Sequence, residues 1–248
     1  MKFVTSDEVR ISYEYTKNTA ATIVFLHGWL HNHTVWKPYI QELSKRHSVL
    51  TIDLRGHGKS SAPKNKQDYS MKRLAKDVHE LLNHLHIHKP ILVGHSLGSM
   101  IALQYALEYE AKQLVLIGAT CRNPVGAHVK IPELAQKLLA YIHEEKELHY
   151  DKEIKVPYWL VGMEHTAPQA IIGCFYAIQA FDIHEHIHTI TAPTTIIHGE
   201  HDHTTPLNES EYLHKHLPNN TLKEIPRAGH NLHATHPEEL KNLLRILL

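Results

Sequence analysis

Little in this chain serves crosslinking, membrane insertion or electrostatic capture. Cysteine occurs only at Cys121 and Cys174 among 248 residues. One bridge is the most the chain could form, and two free thiols in a cytoplasmic protein is the simpler expectation. No stretch reaches the roughly 18 apolar residues of a membrane span. The opening Met1-Lys2-Phe3-Val4-Thr5-Ser6-Asp7-Glu8 lacks the apolar centre of a secretory leader. Lys plus Arg and Asp plus Glu both number 26, so no net field draws nucleic acid or an anionic membrane surface. Neither G-x-G-x-x-G nor a P-loop lysine stands in register, which excludes the Gly-rich phosphate cradles. The expectation is a cytoplasmic chain without cofactor, nucleic-acid partner or membrane span.

Histidine is the excess, at 25 residues. Groups at chelating spacing recur: His31/His33, His84/His86/His88, His184/His186/His188 and His201/His203. A metal site needs three or four converging ligands, and these groups fall on unrelated segments. They are expected to be a compositional habit of solvated surfaces, with no metal site. Positive charge then accumulates as pH falls through about 6.5.

Residues 2–16 alternate apolar and polar, with Val9, Ile11, Tyr13 and Tyr15 on one side, as a half-buried edge hairpin does. Thr22–Leu26, Val49–Asp53, Ile91–Val93 and Leu114–Ile117 differ in being continuous apolar runs, as strands covered on both faces require. Helical stretches separate them. One is expected over Thr34–Arg46. Another follows Ser70, with Met71, Leu74, Ala75, Val78, Leu81, Leu82 and Leu85 at helical spacing. That alternation implies a parallel sheet. Residues 120–190 break the pattern with helices over about Ile131–Glu147 and Ala167–Phe181 and no buried-strand run. Strand character returns at Thr194–Ile197 and Thr221–Ile225, with helices over Asn208–His216 and Pro237–Leu248. The expected fold class is α/β: a mostly parallel central sheet with helices on both faces. Residues 1–119 and 191–248 form its core domain, and 120–190 a helical cap inserted in it.

The chemistry centres on Gly94-His95-Ser96-Leu97-Gly98, set between the Ile91–Val93 strand and the helix beginning near Met100. A serine at a strand-to-helix turn is pushed out of the sheet, beside free helix N–H groups. A hydroxyl is a poor nucleophile without a base and an orienting acid. His230 leaves the last strand directly after Gly229, unlike its neighbours His233 and His236. Asp202 follows the preceding strand and is preferred to Glu200. The order Ser96, Asp202, His230 is that of a serine triad on such a sheet. An oxyanion needs two fixed N–H donors; Leu97 offers one, and Trp29, after His27-Gly28, the other. Asp53, heading Leu54-Arg55-Gly56-His57-Gly58-Lys59-Ser60, is expected to fix backbone amides of its Gly-rich loop.

With His27-Gly28-Trp29, Asp53-x-Arg55-Gly56-His57-Gly58-x-Ser60, Gly94-x-Ser96-x-Gly98, Gly199-Glu200-x-Asp202 and Gly229-His230, the chain resembles the α/β-hydrolase fold superfamily over essentially its whole length. It is most similar to small-capped serine carboxylesterases, including the pimeloyl-carrier-protein methyl ester esterase, lactonase and carbon–carbon hydrolase branches. The resemblance implies Ser96 as nucleophile, Asp202 and His230 as its partners, and Trp29 and Leu97 as oxyanion donors. Ser99 stands where relatives often carry glycine. Serine rather than aspartate at 96 argues against the dehalogenase branch. A small-molecule ester is the expected substrate, with Trp29, Ile171, Ile172, Phe175 and Tyr176 as candidate lining residues. The cap charges (Arg122, Lys130, Lys137 against Glu133, Glu144, Glu145) are mixed and lend no support to a carrier-protein partner. Lactonase, carbon–carbon hydrolase or perhydrolase chemistry on the same triad, and a non-catalytic ligand-binding role, are the alternatives.

Overall fold

In the computed structural model, which describes residues 1–123 and 165–248, the continuous apolar runs lie side by side in one eight-stranded sheet. Its strands are β1 (Lys2–Val4), β2 (Arg10–Thr16), β3 (Thr22–Leu26), β4 (Ser48–Ile52), β5 (Ile91–His95), β6 (Gln113–Ile117), β7 (Thr194–Gly199) and β8 (Asn220–Ile225). Their order is β1-β2-β4-β3-β5-β6-β7-β8. The hairpin β1–β2 is antiparallel and joins β4 antiparallel; every pairing from β4 to β8 is parallel.

Successive residues of the central strands enter opposite layers, so both faces must be apolar. Val24, Leu26, Leu92, Leu114 and Leu116 join one core with α2 (Met71–His84) and α3 (Leu97–Glu108). Ile23, Phe25, Ile91, Val93, Val115 and Ile117 join the other with α1 (Lys37–Leu43) and α7 (Pro237–Leu247). The Ser70 side chain caps α2, accepting from the Arg73 N–H at 3.3 Å. The expected stripe from Met71 to Leu82 is buried. The remaining helices are α4 (Pro168–Gln179), α5 (Leu207–His216) and the short α6 (Leu232–Thr235). The helix expected over 131–147 and the charges at 130, 133, 137, 144 and 145 lie outside the described residues. Cys121 and Cys174 are free and buried.

Two expectations are corrected. The helix over 34–46 divides into a 3-10 turn, His33–Trp36, and the shorter α1. Asn32 caps the turn, its side-chain oxygen 2.9 Å from the Thr34 N–H. Pro38, lacking an N–H, fits the first turn of α1 and no later position. The histidines are not confined to the surface: His27, His31, His33, His57, His95, His198 and His233 are buried. Several brace loop backbones that have no strand partner. His27 Nε2 accepts from the Leu54 N–H at 3.0 Å, and its Nδ1–H donates to the Gly28 carbonyl at 2.8 Å. His57 Nδ1–H donates to the Arg55 carbonyl at 2.9 Å.

The strand order reverses around β3, with β4 on one side and β5 on the other. Parallel sheets open a crevice at such a switch, outside the carboxyl ends of the strands. Loops after β3, β4, β5, β6, β7 and β8 all leave at that edge. The loop after β4 is fixed by Arg55, fully buried, whose Nε and Nη2 reach Asp77 of α2 at 2.8 and 2.7 Å. Arg73 and Asp7 extend this ion network.

Candidate active site

Ser96 makes the turn from β5 into α3 within one residue. Its N–H still continues the ladder, donating to the Ile117 carbonyl at 2.9 Å, while its carbonyl accepts from Ser99 and Met100 in the first turn of α3. The backbone there has φ 51° and ψ −115°, a conformation that costs a residue with a β-carbon about 1–3 kcal/mol. A β-carbon on Gly94 would stand 2.3 Å from the Gly98 carbonyl oxygen, and one on Gly98 2.2 Å from that of Leu26. The glycines are therefore set by backbone approach. Ser99, buried, donates its hydroxyl to the Ser96 carbonyl at 2.6 Å, so a serine is accommodated at that turn.

His230 and Asp202 meet. Nδ1 of His230 lies 2.7 Å from Oδ2 of Asp202, whose other oxygen accepts from the Thr204 and Thr205 N–H groups at 2.8 and 2.9 Å. An ionised carboxylate only accepts, so the proton sits on Nδ1 and Nε2 keeps its lone pair. Burial pushes the Asp202 carboxyl up, but the hydrogen bond and charge of His230, the Thr205 N–H and nearby His198 together hold it below the usual carboxylate range. Glu200 is exposed and instead accepts the Arg227 N–H at 2.8 Å. The pair sits over the end of β6: a β-carbon on Gly118, whose φ is +56°, would stand 3.2 Å from His230 Nδ1 and 3.4 Å from Asp202 Oδ2. Ser96 borders it, bonded to the last residue of β6. No hydrogen bond joins the Ser96 hydroxyl to His230 among the described residues; such contacts commonly tighten only when substrate is present.

Trp29 and Leu97 occupy the ends of β3 and β5. Leu97 opens α3, where the first N–H groups have no partner within the helix. The Trp29 ring stands 5.5 Å from that of Phe175 on α4, so α4 closes over the β3 loop. Ile171 is buried on the same helix, and Ile172 is partly exposed. Tyr176 points elsewhere, its ring 4.3 Å from Lys66 Nζ in a groove shared with Gln67 and Tyr69. Asp53 braces two loops, accepting the His33 N–H and ring Nδ1–H at 2.9 and 2.7 Å and the Lys59 N–H at 3.0 Å. Burial opposes ionisation of Asp53, but those bonds hold its carboxyl down at about 2.

Two neighbours escaped the sequence argument. His95, the variable position of the serine pentapeptide, donates from Nε2 to the His230 carbonyl at 2.9 Å. His198, on β7, stands with Nε2 3.7 Å from Asp202 Oδ2 and Nδ1 2.7 Å from the Ser210 hydroxyl. His95 lay within a visible motif; His198 carried no signal beyond membership of an apolar strand. Burial holds His31 and His57 down at about 4, and His95 well below the usual imidazole range.

Comparison with known proteins agrees with this architecture. A family model described as the alpha/beta hydrolase fold matches residues 21–157 and 156–237. The AB hydrolase superfamily protein YisY of Bacillus subtilis is 26% identical over 244 residues, covering 90% of this chain and 89% of YisY. RutD of Escherichia coli, whose description proposes a carbamate hydrolase, is 25% identical over 240 residues, covering 91% of this chain and 90% of RutD. A solved structure of an N-acyl homoserine lactone degrading enzyme superposes with a TM-score of 0.84 at 25% identity, covering 99% of each chain.

Proposed function

Because the chain belongs to the α/β-hydrolase family, we propose that it is a serine hydrolase cleaving carboxylic esters of small or medium acyl substrates through an acyl-enzyme. The observation that carries this reading is the 2.7 Å contact of His230 Nδ1 with buried Asp202 at the strand edge that also bears Ser96. Nε2 of His230 takes the proton of Ser96 as its oxygen attacks the ester carbonyl, and Asp202 stabilises the imidazolium that results. The oxyanion that forms accepts from the Leu97 and Trp29 N–H groups, each such donor being worth about 3 kcal/mol in the transition state. His230 then protonates the departing alcohol. Water, deprotonated by the same nitrogen, releases the acid from Ser96.

In this reading α4, from the segment between β6 and β7, acts as part of a cap over this crevice. Phe175, packed on Trp29, and Ile171 form the acyl side of the pocket. Tyr176, turned toward Lys66, takes no part. A lactone or a carbamate presents the same carbonyl to the same groups. The likeness to a lactone-degrading enzyme and to RutD makes these the second reading.

Fluorophosphonate labelling followed by a p-nitrophenyl ester chain-length series, run beside lactones and carbamates, tests both. Wild type should label at Ser96 and turn over at least one class, while Ser96→Ala should do neither. A wild-type protein that resists the probe, or a Ser96→Ala protein that still hydrolyses, sinks the proposal.

A further inference from the structure

Beside the Ser96 turn lies a cluster of imidazoles that the proposed reaction does not use. We propose that His31, His95 and His233 form a binding site for one divalent transition-metal ion of the zinc class. The three residues come from the loop after β3, the end of β5 and α6, and all are buried. One ring nitrogen from each lies within 4.8 Å of the other two. The rings of His95 and His31 stand 4.5 and 5.1 Å from that of His233. None of the chelating groups visible in the sequence supplies two members. The fold draws one histidine from each of three distant segments.

The donor orientation supports a ligand role. His95 gives its Nε2–H to the His230 carbonyl at 2.9 Å, which leaves its Nδ1 as a lone pair. That nitrogen and His31 Nδ1 are buried and make no hydrogen bond. Both lie against residue 28: a β-carbon on Gly28 would stand 2.8 Å from His95 Nδ1 and 3.3 Å from His31 Nδ1, so one point is close to both nitrogens. Any side chain at residue 28 would crowd these nitrogens. A ring whose remote N–H is tied to a backbone carbonyl is the usual supported form of a metal-bound histidine.

Metal–nitrogen bonds of about 2.0–2.1 Å put ligand nitrogens about 3.3 Å apart in a tetrahedral site. The separations of up to 4.8 Å then need to close by about 1.5 Å at most, within the reach of side-chain rotation. Three imidazoles without thiolate or carboxylate suit Zn2+, Co2+, Ni2+ and Cu2+, and disfavour Mg2+ and Ca2+. Such an ion would fasten together the segments bearing Trp29, Ser96 and His230. Its role here is to lock their spacing, with no part in bond cleavage.

The test uses the full chain, untagged and stripped of metal, because exposed histidines and a purification tag bind ions weakly. Co2+ titration followed by visible absorption, then Zn2+ competition and elemental analysis after gel filtration, should give one retained ion per chain. The bound cobalt should show the intense bands of four-coordination. Thermal midpoint should rise with metal. His31→Gln and His233→Gln should each lose the retained ion, while the exposed pair variant His201→Gln/His203→Gln keeps it. A wild-type protein that retains no ion, a pale six-coordinate cobalt spectrum, or folded His31→Gln that binds like wild type overturns the proposal. The wild-type titration needs no variant, so misfolding of either substitution does not shelter it. None of these readouts depends on ester hydrolysis, so the site and the proposed reaction stand or fall separately.

Discussion

Ser96 is held at φ 51° and ψ −115°, and the stored strain can be read directly by two substitutions. Ser96→Ala removes the hydroxyl and keeps the β-carbon; Ser96→Gly removes both. The two proteins therefore differ only in the atom that makes this backbone conformation costly. Relief of about 1–3 kcal/mol is expected for the glycine variant. Against it stands about 0.5–1 kcal/mol for the extra freedom glycine gains in the unfolded chain. The glycine protein should thus be more stable than the alanine protein by on the order of 1 kcal/mol. For a chain of 248 residues each kcal/mol moves the thermal midpoint by about 2–4 °C, so the gap should be about 3 °C. Denaturant midpoints at equal slope give the same comparison without relying on reversible heating. Both variants should be inactive toward esters. A Ser96→Gly protein no more stable than Ser96→Ala would refute the claim that the turn is strained, and with it the account of why the hydroxyl projects from the sheet.

Four further outcomes are expected. Asp202→Asn should lower kcat by about 10⁴-fold through the wrong imidazole tautomer, whereas Glu200→Gln should leave it little changed; comparable losses in both would reassign the acid. Asp77→Asn should destabilise the fold by about 3–5 kcal/mol, because buried Arg55 loses its main partner, and a chemical denaturation series measures it. The His33–Asp53 contact raises the His33 pKa from 6.5, so the stability it adds is whole below 6.5 and drains away as pH rises through the raised value. On the acid side, Asp53 sits at about 2 against 3.8 unfolded, so its share is whole above 3.8 and is lost as pH falls from there through about 2. The stability gap between wild type and His33→Gln should accordingly shrink on the alkaline side. His57 sits at about 4 in the fold against 6.5; the unfolded chain takes the proton first, and stability falls as pH drops between those values. That lowering is worth about 3 kcal/mol, and thermal midpoints that stay flat from neutral pH to about pH 4 would contradict it.

The central strands were legible because burial on both faces writes them as unbroken apolar runs, as Thr22–Leu26 and Leu114–Ile117 do. Ser70 and the stripe behind it specified α2 almost to the residue. The meeting of His230 with Asp202 followed from where each leaves its strand. The sheet order around β3 was not legible, since a parallel strand pairs through backbone groups that every residue shares. The division of the first helix turned on Asn32 and Pro38, whose local geometry outweighed a good apolar spacing. The buried histidines were misjudged for a related reason. Composition treats imidazole as a surface group, yet at a strand end it supplies a donor and an acceptor where the backbone has neither neighbour. His31, His95 and His233 meet only through tertiary packing, which no spacing within one segment records.

The approach of Gly98 to the Leu26 carbonyl has an evolutionary consequence. Residue 98 lies two positions past Ser96, and Leu26 three positions before Trp29; with 2.2 Å between a would-be methyl and that oxygen, no side chain at 98 fits unless the two loops move apart together. Mutational change in this lineage can retune what is recognised by altering the segment inserted between β6 and β7, whose length the sheet does not constrain. On the proposed reaction, the attacking atom and its anion cradle are then inherited as one piece.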